Sequence, residues 1–267
     1  MDILKRSLAP ITDEAWAEID DRAKEVLSTF LSARRIVDVD GPKGLDYAGV
    51  PLGHLDVADN QSSDEVRYGV QMIQPLIETR MTFELNIWEL DNIIRGAKDI
   101  DLDEMEKAAQ KAALFEENAI YHGFGPGNIK GLKECTSYDP LDFEADPHQL
   151  MEAVSIGLTE FAKASVGGPY ALVVSPDLWK YISSQIKGYP LSKQLEKLLG
   201  GKIILGSLTE DNFLVSIRGG DLKLVLGQDF SIGYISHSDK TVRLYFTESF
   251  TFRVIDPAAV IPVNWKK

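Results

Sequence analysis

The sequence predicts an α+β protein whose helices and strands form interleaved subdomains. Three observations lead there. Apolar residues recur at helical spacing in several stretches before residue 200. Beyond Gly200-Gly201 the texture turns to strand alternation. Within the first part, residues 43–75 lack clear helical periodicity and are rich in turn-forming residues. The chain has 267 residues, 28 basic and 41 acidic, for a net charge of −13, with 44% apolar and 26% charged residues. That length suits one large domain or two intimate ones, with a core that needs no disulfide or metal.

Taken in order, Pro10 halts an apolar arm containing Leu4, Leu8 and Ile11, too short to bury itself. It must pack on its own domain or on a neighbouring subunit. Thr12 starts an amphipathic helix carrying Trp16, Ile19, Ala23, Val26, Leu27 and Phe30, to about Ser32. Arg34 to Val39 alternates like a strand and ends at Gly41-Pro42. The following excursion turns at the polar run 59–65, and long loops of this kind are often functional or shared between subunits. Met81 to Ile87 reads as a half-buried strand, leading into a short helix at Trp88–Ile94. The longest helix runs from about Asp103 to His122 behind the acidic run 99–103, whose charge suits a helix N-terminus. A second long helix covers roughly Pro147 to Ala164. Tyr170 to Val174 is a short buried strand, after which Ser175 caps a further helix with Pro176 at its first position. Residues 202–205, 212–217, 222–226 and 241–255 are successive strands.

Several function classes fall away. A chain this acidic lacks the clustered Lys and Arg that nucleic-acid phosphates require. No apolar run reaches the roughly 18 residues of a membrane helix. The opening Met1-Asp2-Ile3-Leu4-Lys5-Arg6 has no signal core, so a cytoplasmic location is expected. The single Cys135 forms no internal disulfide and has no catalytic signature around it, so it reads as a spectator. Histidines 54, 122, 148 and 237 are too scattered for a metal site, and His122 reads as a helix-terminal residue. Glu116-Glu117 lacks the Glu-x-x-His spacing of a di-iron helix. Gly123-x-Gly125-x-Gly127 follows a helix, where it acts as a stop rather than a nucleotide loop. No catalytic constellation is visible, and the expectation is a protein that is not an enzyme.

Several segments together carry a resemblance. Leu4 to Thr12, Trp16 to Asp20, Arg34 to Pro42 and Trp88 to Asn92 contribute, as do Gly168 to Val173, Gly188 to Leu191 and Arg218 to Asp221. Gly227 to Tyr234 and Thr247 to Phe252 complete the series. The sequence resembles family 1 encapsulins, the linocin-like shell proteins of nanocompartments, in the same order over nearly its whole length.

The resemblance implies a tailed-bacteriophage (Hong Kong 97-type) major capsid protein fold. It divides the chain into an N-terminal arm, helix and strand (1–42), an extended loop (43–80), a segment with the spine helix (81–134), an apical domain (135–225) and a return to the peripheral domain (226–267). It implies a homo-oligomeric icosahedral cage of roughly sixty copies. Such a cage encloses a ferritin-like protein or dye-decolorising peroxidase through a terminal targeting peptide, with iron storage or oxidative-stress protection as its role. No nucleic acid or membrane partner is implied, and no cofactor is required. The peptide dock would be formed by Phe30, Arg34, Ile36, Asp38, Asp229, Phe230 and Ile232, although Phe30, Ile36 and Ile232 read equally well as core. Gly188, Tyr189 and Pro190 would line the five-fold pore, or form an ordinary helix-to-helix turn. Some family members bind flavin, and here Trp88 with Arg80 matches that pattern; a tryptophan anchoring its helix is the competing reading. A phage capsid protein proper and a stand-alone protease or bacteriocin-like enzyme are the rivals. The negative charge, repeated over a shell, would draw cations such as iron toward acidic pores.

Overall fold

In the computed structural model, residues 3–59, 61, 66–186, 188–206 and 209–266 are described. Thr12 accepts the Ala15 N–H at 3.2 Å and starts α1 (Asp13–Phe30), which buries Trp16, Ile19, Ala23 and Leu27. A one-turn 3₁₀ segment (Ala33–Arg35) leads to β1 (Asp38–Asp40). Strands β2 (Gly49–Asp56) and β3 (Val70–Pro75) form an antiparallel hairpin. Its far end falls partly on residues 60 and 62–65, so most of the expected turn lies outside the described residues. Next come β4 (Ile77–Asn86), α2 (Ile87–Ile94) and α3 (Asp103–Tyr121), whose first turn carries Asp103, Glu104 and Glu106 at the positive end of the helix dipole. Then follow α4 (Leu132–Cys135), β5 (Leu141–Glu144), α5 (Pro147–Lys163), β6 (Tyr170–Val174), α6 (Pro176–Ser184) and α7 (Leu191–Leu199). The chain closes with β7 (Ile203–Leu205), β8 (Asn212–Ser216), β9 (Leu222–His237), β10 (Thr241–Val254) and β11 (Val260–Lys266).

One sheet has the order β1-β9-β10-β4 and a second the order β5-β11-β8-β6-β7. Helices α1, α2 and the first half of α3 pack on the four-stranded sheet, while α5, α6 and α7 cover the five-stranded one. Between them lies a shared core, in which Phe250 and Phe252 of β10 meet Phe213 and Val215 of β8. Tyr121 of α3 stacks on Phe213 there with centroids 5.5 Å apart. Each sheet is therefore one wall of a core the other completes.

The structure corrects the sequence reading at three places. Residues 34–37 are not strand, because a turn there delivers Arg34 and the Ala33 N–H to acidic side chains of α3. The strand expected at 222–226 runs on to His237, and the boundary drawn at 225 cuts through it. The end of the chain does not stay with the four-stranded sheet: β11 pairs with β8 and β5 in the other one. The apolar arm packs on its own domain, with Ala9 and Ile11 against the α1 core.

Candidate docking cleft

A cleft of about 480 Å³ opens between α1 and the paired strands β9 and β10. Helical spacing places Ala23, Leu27 and Leu31 on its helix side. The sheet supplies Phe230, Ile232 and Phe246, and Asp20, Lys24, Arg34 and Asp229 add charge. Leu4 and Arg6 from the N-terminal arm close one flank.

Two irregularities in β9 aim these side chains. Thr247 pairs with Ser231 and Ser249 with Gln228, so Glu248 alone faces Asp229 and Phe230, a β-bulge. Between Ser249 and Phe250 the register shifts again, leaving Gly227 as the extra residue. The Ser249 hydroxyl accepts the Gln228 N–H at 2.8 Å and fixes this kink. A Cβ on Gly227 would press on that hydroxyl and approach Leu76 to 3.0 Å. Gly227→Ala is accordingly expected to cost about 1–3 kcal/mol, read as a lower urea midpoint. An unchanged midpoint would show that the kink has room to spare.

Behind the cleft, Arg34 gathers three carboxylates. It forms a two-pronged pair with Glu116 (Nε–Oε1 2.9 Å, Nη2–Oε2 2.6 Å), and reaches Glu248 at 2.6 Å and Asp229 at 2.9 Å. Its guanidinium also lies 5.3 Å from the Phe230 ring centroid. Burial opposes the arginine charge, but Glu116, Glu248 and Asp229 outweigh it and raise its pKa further. Glu116 and Glu248 are fully buried, whereas Asp229 is about half exposed. Burial, reinforced by Glu116, pushes the Glu248 carboxyl well above the usual range, against the pull of Arg34. One helical position on, Glu117 accepts hydrogen bonds from the Ala33 N–H at 2.7 Å and from the Ser32 hydroxyl, which in turn meets the Tyr121 hydroxyl at 2.8 Å. Burial raises the Glu117 pKa to about 7 against those hydrogen bonds.

Residues 1–251 match the family described as the encapsulating protein for peroxidase. The chain is also 40% identical to the type 1 encapsulin shell protein of Rhodococcus erythropolis, over 97% of this chain and 98% of that one. The chain belongs to the type 1 encapsulin shell family. The shell protein of Rhodospirillum rubrum is 37% identical over 99% of this chain and 97% of its own length. Among solved structures, a virus-like particle from Pyrococcus furiosus superposes with a TM-score of 0.67 at 17% identity, covering 93% of this chain and 98% of that one. The capsid of Myoviridae phage XM1 gives 0.52 at 11% identity, over 88% and 92%. The architecture of this encapsulin is thus that of tailed-phage capsid proteins.

Of the seven predicted dock residues, the encapsulin cleft brings together Arg34, Asp229, Phe230 and Ile232. Phe30 is half-buried against the same core without lining the cleft. Ile36 and Asp38 do not line this cleft. The Ile36 side chain is buried in the shared core, and the Asp38 carboxylate accepts the Gly220 N–H at 2.5 Å beside a different, smaller hollow. Both were placed by motif position, on the inner face formed with an expected Arg34 to Asp38 strand, whereas the chain turns at Ala33–Arg35. Sequence reasoning missed Leu27, Leu31 and Asp20 as lining, and Glu116, Glu117 and Glu248 as the buried acids. The adjacent glutamates on α3 were the available signal, since two neighbouring carboxylates facing inward imply a partner inside.

The remaining expectations lie elsewhere. Gly188, Tyr189 and Pro190 connect α6 to α7 as an exposed turn; Gly188 has φ 77°, and Gln194 donates to the Tyr189 carbonyl at 2.7 Å. Trp88 is 73% exposed at the start of α2 rather than an internal anchor. Arg80 is not beside it. The β4 register puts Arg80 opposite Thr247 and Asn86 opposite Thr241, about 20 Å apart along the strand. Arg80 instead pairs with Glu78 at 2.9 Å and lies over Tyr245. Cys135 is half-buried, and burial pushes its thiol up, away from a reactive thiolate. Among the described residues no helix is long and apolar enough to cross a membrane.

Proposed function

We propose that this chain is the repeating subunit of a closed icosahedral shell, and that the α1/β9 cleft docks the terminal targeting peptide of enclosed enzymes. The cleft carries the reading: it sets the apolar side chains Leu27, Leu31, Phe230 and Ile232 beside the carboxylates Asp20 and Asp229, a mixed lining that suits an apolar peptide with a basic residue. The family's description, which names a peroxidase as what is encapsulated, supports an enzyme cargo. Peroxidase or ferritin-like cargo would give the compartment a role in oxidative-stress protection or iron storage. The shell's own task is then to assemble, enclose and gate rather than to catalyse. Leu55, Tyr68, Val70, Met72 and Ile73 stand exposed on and beside the β2/β3 hairpin, as befits a segment that meets a neighbouring copy. The α6/α7 turn at Gly188–Pro190 is the candidate pore edge.

Negative-stain microscopy of the purified protein is expected to show uniform closed shells, and discrete monomers or dimers in fresh lysate would overturn the reading. Phe230→Ser tests the dock. Removing the ring takes away the aromatic face that Arg34 lies over and an apolar wall of the cleft, with an expected loss of cargo affinity of at least about tenfold. Shells should remain closed while a co-expressed ferritin-like or peroxidase cargo no longer co-purifies. Unchanged loading would sink the assignment. Ile36 is unsuited to this test, because a polar group there enters the shared core.

A further inference from the structure

The cleft already has a tenant along one flank. Residues 3–8 of the arm contain no element longer than the three-residue turn Arg6–Leu8. They are tied down at a few points. The Leu4 carbonyl accepts the Tyr234 N–H at 2.8 Å, along a stretch of the β9 edge that no strand covers. The Ile3 carbonyl accepts the Tyr245 hydroxyl at 3.1 Å. Arg6 reaches Asp20 at 2.7 Å and lies 3.9 Å over the Trp16 ring. Lys5 is held at φ 51°, a left-handed conformation that L side chains disfavour. Leu8 beyond it is 65% exposed.

The chemistry of this attachment is that of the peptide the dock is suited to take. Leu4 supplies an apolar side chain to the trough, and Arg6 supplies a cation to Asp20 on its rim. Among these contacts, the edge hydrogen bond and the part-exposed ion pair are ones that another chain of the same character can replace. We propose that residues 3–8 are a built-in occupant of the cleft, which an incoming apolar, basic peptide displaces from Asp20 and the β9 edge. This rests on the docking reading above and adds its regulation: cargo affinity is set by competition with the shell's own arm.

The test uses full-length shells and, as probe, a fluorescent protein ending in the sequence of residues 3–11, Ile-Leu-Lys-Arg-Ser-Leu-Ala-Pro-Ile. Arg6→Ala loosens the resident arm, and Asp20→Asn breaks the same pair from the helix side. In Arg6→Ala shells, amide exchange of the segment containing Tyr234 is expected to rise about fivefold. The co-purified probe should rise by a similar factor over wild type, and adding Phe230→Ser should return it to the level of untagged fluorescent protein. Asp20→Asn should speed exchange without capturing the probe, because the probe's own cation has lost its partner. Faster exchange in Arg6→Ala with probe capture no higher than the untagged control would overturn the proposal and leave the arm as a fixed wall. Unchanged exchange in both variants would overturn it equally. If the probe responds to Phe230→Ser while enzyme cargo does not, self-occupancy stands and the cargo reading is the one that fails.

Discussion

Arg34→Met is expected to cost roughly 3–5 kcal/mol of folding stability at neutral pH, the loss typical of removing one side of a buried ion pair. The arginine is the shared cation of Glu116, Glu248 and Asp229, and the first two side chains have no solvent to fall back on. Methionine fills much of the volume but supplies none of the hydrogen bonds. Lysine should rescue little, since a single ammonium cannot reproduce the planar fork that meets Glu116 at two points and the other acids at once. A second change, Glu248→Gln on the Arg34→Met background, should recover a substantial part of the loss by removing one stranded acid. Guanidinium unfolding at a fixed protein concentration reads all four proteins. A loss below about 1 kcal/mol would mean that the acids are already neutral or hydrated without the arginine.

The same cluster explains which parts of the molecule were legible in the sequence. Helices α1, α3 and α5 were legible because their apolar stripes and end signals, such as Thr12 and Pro147, are local properties of the chain. The turn at Ala33–Arg35 was not. Its alternation looks like a strand, and what bends it is a carboxylate more than eighty residues away, since Glu117 takes the Ala33 N–H and Glu116 takes Arg34. Strand β9 was cut short because Gly227 and Asp229 break the alternation, and only pairing with β10 shows that they are bulges within one strand. β11 went unread because Pro262 sits inside it, although the register places Pro262 opposite Phe213 in the body of the sheet. The dock followed the same pattern. Asp229 and Phe230 were found through a recognisable segment, while Leu27 and Leu31 were hidden as ordinary members of the stripe on α1. Asp20 escaped notice because an acid at the rim of a helix looks like any solvated charge until Arg6 is seen against it.

Glu117→Gln should change how the stability of this protein depends on pH, and by more than any surface substitution would. The side chain is almost fully buried, and burial lifts its pKa from the ordinary 4.5 to about 7 in the folded chain. A folded-state pKa above the unfolded value means that the native protein holds a proton the unfolded chain has released. The stability this contributes is complete below about pH 4.5 and is lost as pH rises through 7. At 1.36 kcal/mol per pH unit the full swing is about 3 kcal/mol. Glutamine does not titrate, and its carbonyl can keep the hydrogen bond from the Ala33 N–H while the Ser32 hydroxyl turns to accept from the amide. The difference in stability between Glu117→Gln and wild type should therefore move by about 2.5 kcal/mol in the variant's favour between pH 5 and pH 8. Every other titrating group is common to the two proteins and cancels. A difference that stays flat across that range would mean that water or a rearranged Ser32 solvates the carboxylate. The fold would then tolerate a full charge beside Glu116, and Arg34 would remain the only cation it needs.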